Sequence, residues 1–276
     1  MSDGRTQHEG TRIQLCGRLA ARVAGRRIDR DLPGRQGRLL FAYLVVNRDR
    51  VASRDELAEA LWPRGLPSAP DLALSALLSK LRRLLPEGAL EGRSTIRLEL
   101  ERHARVDVEA ARDGIHRAEA LIAAGDWYGS IGPTLVAHNI SQRRFLPGEE
   151  GAWIDERRRE LEDIQVRALE CTARRSLAIG GAEIAVAERT ARRLIELAPY
   201  RESGYALLMQ AFTRQGNIAE ALRVYESLRG LLREALGAAP SPAVQQMHER
   251  LLIAPEGPGQ PPRRSPSRAH ERREAT

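Results

Sequence analysis

The feature that most constrains the fold is a change of hydrophobic period near residue 105. Before that point, segments in which apolar and polar residues alternate stand on both sides of a helical stretch. After it, apolar residues recur only at helical spacing, as far as Leu252. Alternation is typical of half-buried strands, and spacings of three to four residues are typical of amphipathic helices. The chain is therefore predicted to be mostly α, with a small antiparallel sheet confined to its first 105 residues.

The opening segment, residues 12–29, reads RIQLCGRLAARVAGRRID and alternates in two runs separated by Gly17. Glycine and a charged residue at Gly25-Arg26 indicate a turn before Ile28. This pattern predicts two antiparallel strands and a hairpin.

Three helices are predicted next. The first spans Pro33 to Asn47, where apolar residues fall at helical spacing. A capping box formed by Ser53 and Glu56 marks the start of a short second helix that ends at Trp62-Pro63. The third is the most regular and spans Ser68 to Leu85.

The third helix has two unlike faces. Its predicted cap is Ser68 with Asp71 three residues later, Pro70 lies in its first turn, and Pro86 and Gly88 end it. At about 100° per residue the leucines fall on one side. They are Leu74, Leu77, Leu78, Leu81, Leu84 and Leu85. The opposite side is short, polar and basic, with Ser75, Ala76, Ser79, Lys80, Arg82 and Arg83.

A β-hairpin with its tip at Gly92 to Thr95 is predicted after the third helix, within residues 89–100. A sheet, three helices and a terminal hairpin in this order describe a winged helix-turn-helix, in which the third helix enters the major groove of DNA. The short side chains Ser75 and Ser79 would let the helix approach base edges, while Lys80, Arg82 and Arg83 could donate to phosphates or to guanine. Further candidate phosphate contacts are Arg35, Arg38, Arg54, Arg93 and Arg97. Which of these residues contact bases is left open.

The distribution of charge agrees with this interpretation. The formal net charge is +7, and residues 1–105 alone carry an excess of that size, while the rest of the chain is nearly balanced. A positive excess in the segment that holds the candidate reading helix is expected if that segment meets a phosphate backbone.

Residues 106–254 are predicted to form helical repeats. Glycine turns at Gly180-Gly181 and Gly216-Asn217 are separated by about the tetratricopeptide period. Residues 214–225, RQGNIAEALRVY, resemble the middle of such a repeat, whereas the insert at residues 145–153, FLPGEEGAW, interrupts the array. Residues 255–276 are rich in Pro, Gly, Ser and Arg and are predicted to be disordered.

The two halves together resemble a known family over residues 12–252. GRQGRLLFAYLVVNRDRVASRDELAEALWP followed by LSALLSKLRRLL is similar to the DNA-binding half of SARP-type bacterial regulators, an OmpR-class winged helix followed by a bacterial transcriptional activator domain. The ending LLREALGAAPSPAVQQMHERLL matches that second domain. The resemblance implies a transcriptional activator that binds double-stranded DNA as a homodimer and recruits RNA polymerase. We place the domains at 12–105 and 106–254.

No catalytic constellation was found in the sequence. The only lysine does not belong to a phosphate-binding loop, the histidines lack metal-ligand spacing, and we expect no enzyme activity, cofactor or metal. No apolar run is long enough to span a membrane and the N-terminus is polar, which predicts a cytoplasmic protein without membrane partners. Two other functions stay open: an interaction scaffold whose repeat groove binds a partner without specific DNA binding, and a sensor that binds a ligand on the concave repeat surface.

Overall fold

The computed structural model describes residues 10–253. The predicted disordered tail at 255–276 lies outside the described residues. Seven short strands occur in the first part of this range: β1 (Arg12–Gln14), β2 (Ala20–Val23), β3 (Arg26–Arg27), β4 (Ala52–Ser53), β5 (Leu90–Glu91), β6 (Thr95–Leu98) and β7 (Arg105–Val106). The first three helices are α1 (Gly34–Val46), α2 (Arg54–Leu61) and α3 (Pro70–Leu84). Seven more follow: α4 (Asp107–Ala123), α5 (Ile131–Ser141), α6 (Ala152–Ile179), α7 (Glu183–Leu197), α8 (Glu202–Arg214), α9 (Ile218–Leu236) and α10 (Pro242–Ile253).

The fold is the predicted one: a winged helix-turn-helix with a small sheet, followed by helical repeats. The first sheet has the order β3-β2-β1-β7. Its inner face buries Ile13, Ala21 and Val23 against the helices. One detail of the prediction is wrong, because the hairpin turn is Ala24-Gly25 and not Gly25-Arg26. Both turn residues have positive φ, 46° and 79°, as a tight two-residue hairpin requires, and Arg26 is paired with Val23 in the ladder.

Strand β7 was not predicted, and it makes the first sheet mixed. It pairs in parallel with β1, Arg12 opposite Arg105 and Ile13 opposite Val106. Parallel neighbours need a long connection, and here that connection contains the first three helices and the hairpin. The strand crosses the domain boundary that we predict at residues 105 and 106.

Of the three helices of the winged domain, α2 begins with a side-chain cap, whereas α1 and α3 begin without one. At α2 the Ser53 side chain accepts from the Glu56 N–H, and the Glu56 side chain reaches back to Ser53, so the predicted capping box is confirmed. At α3 the prediction is wrong: the helix begins at Pro70, the N-cap is Ala69, and no side chain caps it. The predicted acidic partner, Asp71, bonds instead to Arg54 of α2.

The predicted hairpin is confirmed and forms a second sheet with a strand that was not predicted. β5 and β6 are antiparallel, and β6 pairs on its other side with β4, which precedes α2. Ile96 and Leu98 are buried, while Thr95 and Arg97 face outwards. The sheet order is β4-β6-β5, so the hairpin is fixed to the entry of α2.

Two clusters of buried hydrophobic residues form the core of the protein. The first joins the winged domain to α4, α5 and α6 as far as Cys171. The second runs from Val166 to Leu251 and includes buried residues at helical spacing in α7, α8 and α9. Those residues are Ala187, Ala191, Leu194, Tyr205, Leu208, Phe212, Ala221, Tyr225 and Leu228. Within residues 10–253, no helix combines the length and the apolar character needed to cross a bilayer.

Candidate nucleic-acid interface

The third helix, α3, buries three of its leucines, half-buries Leu77 and Leu84, and exposes its polar face. Leu74, Leu78 and Leu81 are at most 1% exposed. The opposite face, residues Ser75, Ser79, Lys80, Arg82 and Arg83, is exposed to solvent. Helices α4 to α10 leave this face uncovered.

One exposed residue on this face was overlooked in the sequence. Leu72, in the first turn of α3, has 74% of its surface exposed. At 100° per residue it lies on the same arc as Ser79 and Arg83. The signal was its position on the helical wheel, opposite the buried leucines. In helix-turn-helix proteins the N-terminal residues of the recognition helix contact base edges, so an apolar side chain here could contact a thymine methyl group.

Arg54 holds α2, α3 and the hairpin together. Its guanidinium bonds the Asp71 carboxylate at 3.3 Å and the Ser75 hydroxyl at 2.8 Å. It also donates to the backbone carbonyls of Asp71 and Arg93. The side chain is only 25% exposed. These bonds use most of its donors, so Arg54 fixes the start of α3 relative to the hairpin tip.

Arg82 makes a similar connection from the other end of α3. Its side chain donates to the carbonyl oxygens of Leu90 at 3.3 Å and Gly92 at 2.5 Å. Gly92 has φ of 91°, and a Cβ there would lie 1.8 Å from the Thr95 carbonyl oxygen. Gly92 therefore permits a tight turn, and this turn brings the Gly92 carbonyl oxygen within hydrogen-bond distance of Arg82.

The remaining basic residues of this region lie around the hairpin and on the solvent side of α3. Arg93 is exposed at the hairpin tip. Arg97, on β6, is 3.5 Å from the Glu99 carboxylate. Among residues 10–253, no carboxylate within ion-pair distance is found for Lys80, Arg83 or Arg93. The hairpin tip and the exposed face of α3 thus form one basic surface, and hydrogen bonds from Arg54 and Arg82 connect its two parts.

A family model described as the bacterial transcriptional activator domain matches residues 90–252. The chain belongs to this family. It is 33% identical over 222 residues to the regulatory protein AfsR of Streptomyces coelicolor, covering 79% of this chain and 22% of AfsR. It is 25% identical over 258 residues to the transcriptional regulatory protein EmbR of Mycobacterium tuberculosis, covering 86% of this chain and 62% of EmbR.

The fold is shared with a solved structure of Mycobacterium tuberculosis EmbR in complex with a low affinity phosphopeptide. The TM-score is 0.76 at 21% identity, covering 88% of this chain and 65% of that one. The chain spans about a fifth of the length of AfsR, 22%. Together the family match and these relatives identify a SARP-type transcriptional regulator. The resemblance inferred from the sequence is confirmed.

Two of the ten predicted site residues lie elsewhere on this regulator. Arg35, in the first turn of α1, donates to Glu149 at 2.6 Å. Arg38, one turn later, lines a cleft with Pro147 and Glu149. Both therefore face the insert at residues 145–153, which we call the connector segment, and the structure does not bring them to the basic surface of α3.

The connector segment joins the winged domain to the activator domain. The Trp153 indole donates to the Ala60 carbonyl at 3.2 Å, and its ring packs edge-on against Tyr43 and Phe145 at 5.1 and 5.9 Å. Leu146 donates to the carbonyl of Leu15 at the end of β1. The sequence predicted this insert as an interruption of the repeats, but not as a joint.

Asp107, the first residue of α4, makes a second connection between the domains. Its carboxylate accepts from the backbone N–H groups of Leu15 and Cys16, each at about 3 Å, and from Val108. Burial raises its pKa despite these bonds. Burial also raises the pKa of the Cys16 thiol far above its ordinary range, as expected for a cysteine that packs as a small apolar residue.

Proposed function

We propose that this regulator binds duplex DNA sequence-specifically, with α3 in the major groove and the hairpin as a wing against the phosphate backbone. The observation that carries the proposal is the uncovered face of α3, where short side chains and cations lie opposite a fully buried row of leucines. A helix presented in this way can enter a groove without any rearrangement of the core. The small sheet before it and the hairpin after it support the same docking geometry.

Within this surface we assign different tasks to the basic residues. Arg83 and Ser79 lie near the centre of the exposed arc together with Leu72, and these three are the proposed base-contacting residues. Lys80 lies towards the edge of the arc and is assigned to the phosphates. Ser75 accepts a bond from Arg54, so it is a positioned hydroxyl at the edge of the groove.

The arginines of the wing complete the proposed phosphate contacts. Arg93 and Arg97 lie on the hairpin and are exposed. Arg54 and Arg82 could donate a remaining N–H to a phosphate while they hold the wing in place. Arg35 would first have to give up its ion pair with Glu149, and Arg38 faces the same segment, so these two contribute least to the proposed interface.

We assign the activator domain to protein contacts and propose that it recruits RNA polymerase, with the chain acting as a homodimer on DNA. The family name describes a transcriptional activator domain. Its helices expose the apolar residues Leu135, Val136, Leu236 and Leu252, but single exposed apolar residues are ordinary on a protein surface. The family description therefore carries this part of the proposal.

The test is selection of bound sequences from random duplex DNA with the full chain, followed by gel-shift titration of the selected site. Replacing Lys80 and Arg83 together by alanine should lower affinity for the selected site by about 10- to 100-fold. The matched control replaces Arg223 and Arg229 of α9, two exposed arginines paired only with neighbours on the same helix, and should leave binding unchanged.

A scaffold function would give a different result. In that case selection returns no common sequence, and the Lys80 and Arg83 double variant binds duplex DNA as weakly and indifferently as the original chain. Partner capture by the full chain would then be unaffected by the same two substitutions.

A further inference from the structure

Four arginines form a continuous row across the outer face of the first sheet. In the ladder, Arg22 on β2 lies directly opposite Arg27 on β3 and also opposite Arg12 on β1. Arg12 in turn lies opposite Arg105 on β7. Every strand of this sheet therefore contributes one arginine at the same level. With strands about 4.8 Å apart, the row spans roughly 14 Å.

This arrangement is electrostatically unfavourable unless anions neutralise it. Like charges directly opposite one another on neighbouring strands destabilise a sheet. Arg27 is held bidentately by the Asp29 carboxylate, at 2.9 and 3.1 Å. The bond to Arg27 lowers the pKa of Asp29, so this carboxylate is ionised at neutral pH. Among residues 10–253, no carboxylate pairs with Arg12 or Arg105.

The row also lines a cavity. A concave space of about 460 Å³ lies between the outer face of the sheet and the first turn of α4. All four arginines line it, together with Gln14 and Ala110. The positive end of the α4 dipole adds to the local potential. Two carboxylates also line the cavity. Asp29 is bound to Arg27, and Asp107 accepts bonds from the backbone N–H groups of Leu15 and Cys16.

We propose that this cavity, the arginine row, binds the phosphate groups of an anion that carries several of them in sequence. Guanidinium groups are planar and bind phosphate oxygens bidentately, and they remain charged at any physiological pH. A row of this length requires several anionic groups on one ligand, because a single carboxylate or sulfate would reach one or two arginines. The side chains Gln14 and Arg22 complete the donor set on the same face.

Two sources could supply such phosphates: a free oligophosphate, or the backbone of a nucleic acid strand. The arginine row lies on the first sheet beside the first turn of α4, whereas α3 packs against α1 and α2. The inference therefore does not depend on base contacts by α3, and the two proposals can fail separately.

The first experiment is calorimetric titration of the full chain with inorganic tripolyphosphate. Replacing Arg12 and Arg105 by glutamine should weaken binding by roughly tenfold or more, because two of the bidentate donors are lost. The matched control replaces Arg26 and Arg102, which are exposed in the same region but do not line the cavity, and should leave the affinity unchanged. Replacing Lys80 and Arg83 should leave it unchanged as well.

The second experiment measures the salt dependence of binding to duplex DNA. If the phosphates come from nucleic acid, the glutamine double variant should reduce the slope of log affinity against log salt by about two, whereas tripolyphosphate binds weakly to every variant. Weaker binding of tripolyphosphate by the glutamine double variant supports the proposal, and so does a smaller salt slope for duplex DNA. Thermal unfolding of the double variant verifies folding, and its midpoint should be unchanged or higher because like charges have been removed.

Three results would overturn the proposal. The first is that the glutamine double variant binds tripolyphosphate and duplex DNA as the original chain does. The second is that the control at Arg26 and Arg102 weakens binding equally, which would mean unspecific attraction. The third is that tricarballylate, a tricarboxylate without phosphate, binds as tightly as tripolyphosphate, which would mean that phosphate is not what the site recognises.

Discussion

The interface between the winged domain and the activator domain, which we call the joint, and the exposed face of α3 use the same residue types in opposite ways. At the joint, arginines of the winged domain meet carboxylates across the domain boundary: Arg35 with Glu149 at 2.6 Å, Arg48 with Glu109 at 2.7 Å, and Arg64 with Glu150. On α3, Lys80 and Arg83 have no such partner among residues 10–253. An arginine count alone could not distinguish the two regions, because the difference lies in what each cation faces.

The apolar residues differ in the same way. At the joint, Trp153 packs against Tyr43 and Phe145, and Phe145 is completely buried. On α3, Leu72 is left exposed. We therefore expect substitutions at the joint to change the free energy of unfolding, and substitutions on α3 to change DNA affinity with little effect on stability.

The largest effect is expected for Trp153→Ala. The substitution removes two edge-on aromatic contacts and the bond to the Ala60 carbonyl, and with them a partly buried ring between the domains. We expect a loss of about 2 to 4 kcal/mol of unfolding free energy, measured by urea titration with far-ultraviolet circular dichroism.

The control for this substitution is Tyr128→Ala, since the Tyr128 side chain is 71% exposed and should contribute less than about 0.5 kcal/mol. If Trp153→Ala lowered the unfolding free energy no more than the control, the connector segment would not stabilise the contact between the domains. The domain interface and α3 would then not differ in their contribution to stability.

The next largest effect is expected on the affinity for DNA. Arg83→Ala should cost about 1 to 3 kcal/mol of affinity for the selected DNA site, and more for that site than for unrelated sequences if Arg83 contacts a base. Arg35→Ala should leave DNA affinity unchanged, because its guanidinium is held by Glu149. Equal losses from the two substitutions, measured by gel shift at fixed salt, would contradict the assignment of separate tasks.

The order of elements was predictable because it depends on local signals. The capping box at Ser53, the leucine face of α3 and the glycine turns of the repeats are all written within a few residues of sequence, and they occur where the structure has them. The predicted cap at Ser68 failed for a tertiary reason: Arg54, 17 residues away, holds Asp71, and a helix stabilised by packing can begin without a side-chain cap.

What the sequence could not reveal are contacts between distant residues. Trp153 and Ala60 are 93 positions apart, and Arg35 and Glu149 are 114 apart. Strand β7 is recognisable only beside β1, and the four arginines form a row only once all strands are in register. Arg35 and Arg38 were placed in the candidate site from their charge alone, and charge carries no information about which surface a residue faces.

A smaller effect on the free energy of unfolding is expected at the start of α2, where Glu56 is hydrogen-bonded to Tyr43 and Arg50. The Glu56 carboxylate bonds both Tyr43 and Arg50 while it caps the helix. The bond to Arg50 lowers the pKa of Glu56 below its ordinary value of 4.5. A depressed carboxyl pKa stabilises the fold above its value in the unfolded chain, and that stability is lost as the pH falls through the folded value.

Glu56→Gln should therefore cost about 1 kcal/mol at pH 7 and less in acid. Glutamine has one acceptor oxygen, so it can keep the bond from the Ser53 N–H only by giving up those from Tyr43 and Arg50. The pH dependence of the difference, rather than its size at pH 7, therefore reports the contribution of the charge. Urea titrations at pH 7 and at successive values below 4.5 measure the two unfolding curves, which should converge on acidification. A difference that stays constant with pH would mean that the ionised form contributes nothing.

The smallest effect, and the sharpest test of the comparison, is the coupling between Arg48 and Glu109. Arg48 binds Glu109 through two N–H groups, each at 2.7 Å, and both side chains are between a quarter and a third exposed. A double-mutant cycle with alanine at each position should give a coupling of about 0.5 to 1 kcal/mol. The same cycle between Lys80 and Glu109, which share no contact, should give a coupling near zero. If the Arg48 coupling were also near zero, the paired arginines of the joint would contribute no more to stability than Lys80 and Arg83 of α3. The aromatic contacts and the hydrogen bonds of Asp107 and Leu146 would then hold the winged domain against the activator domain.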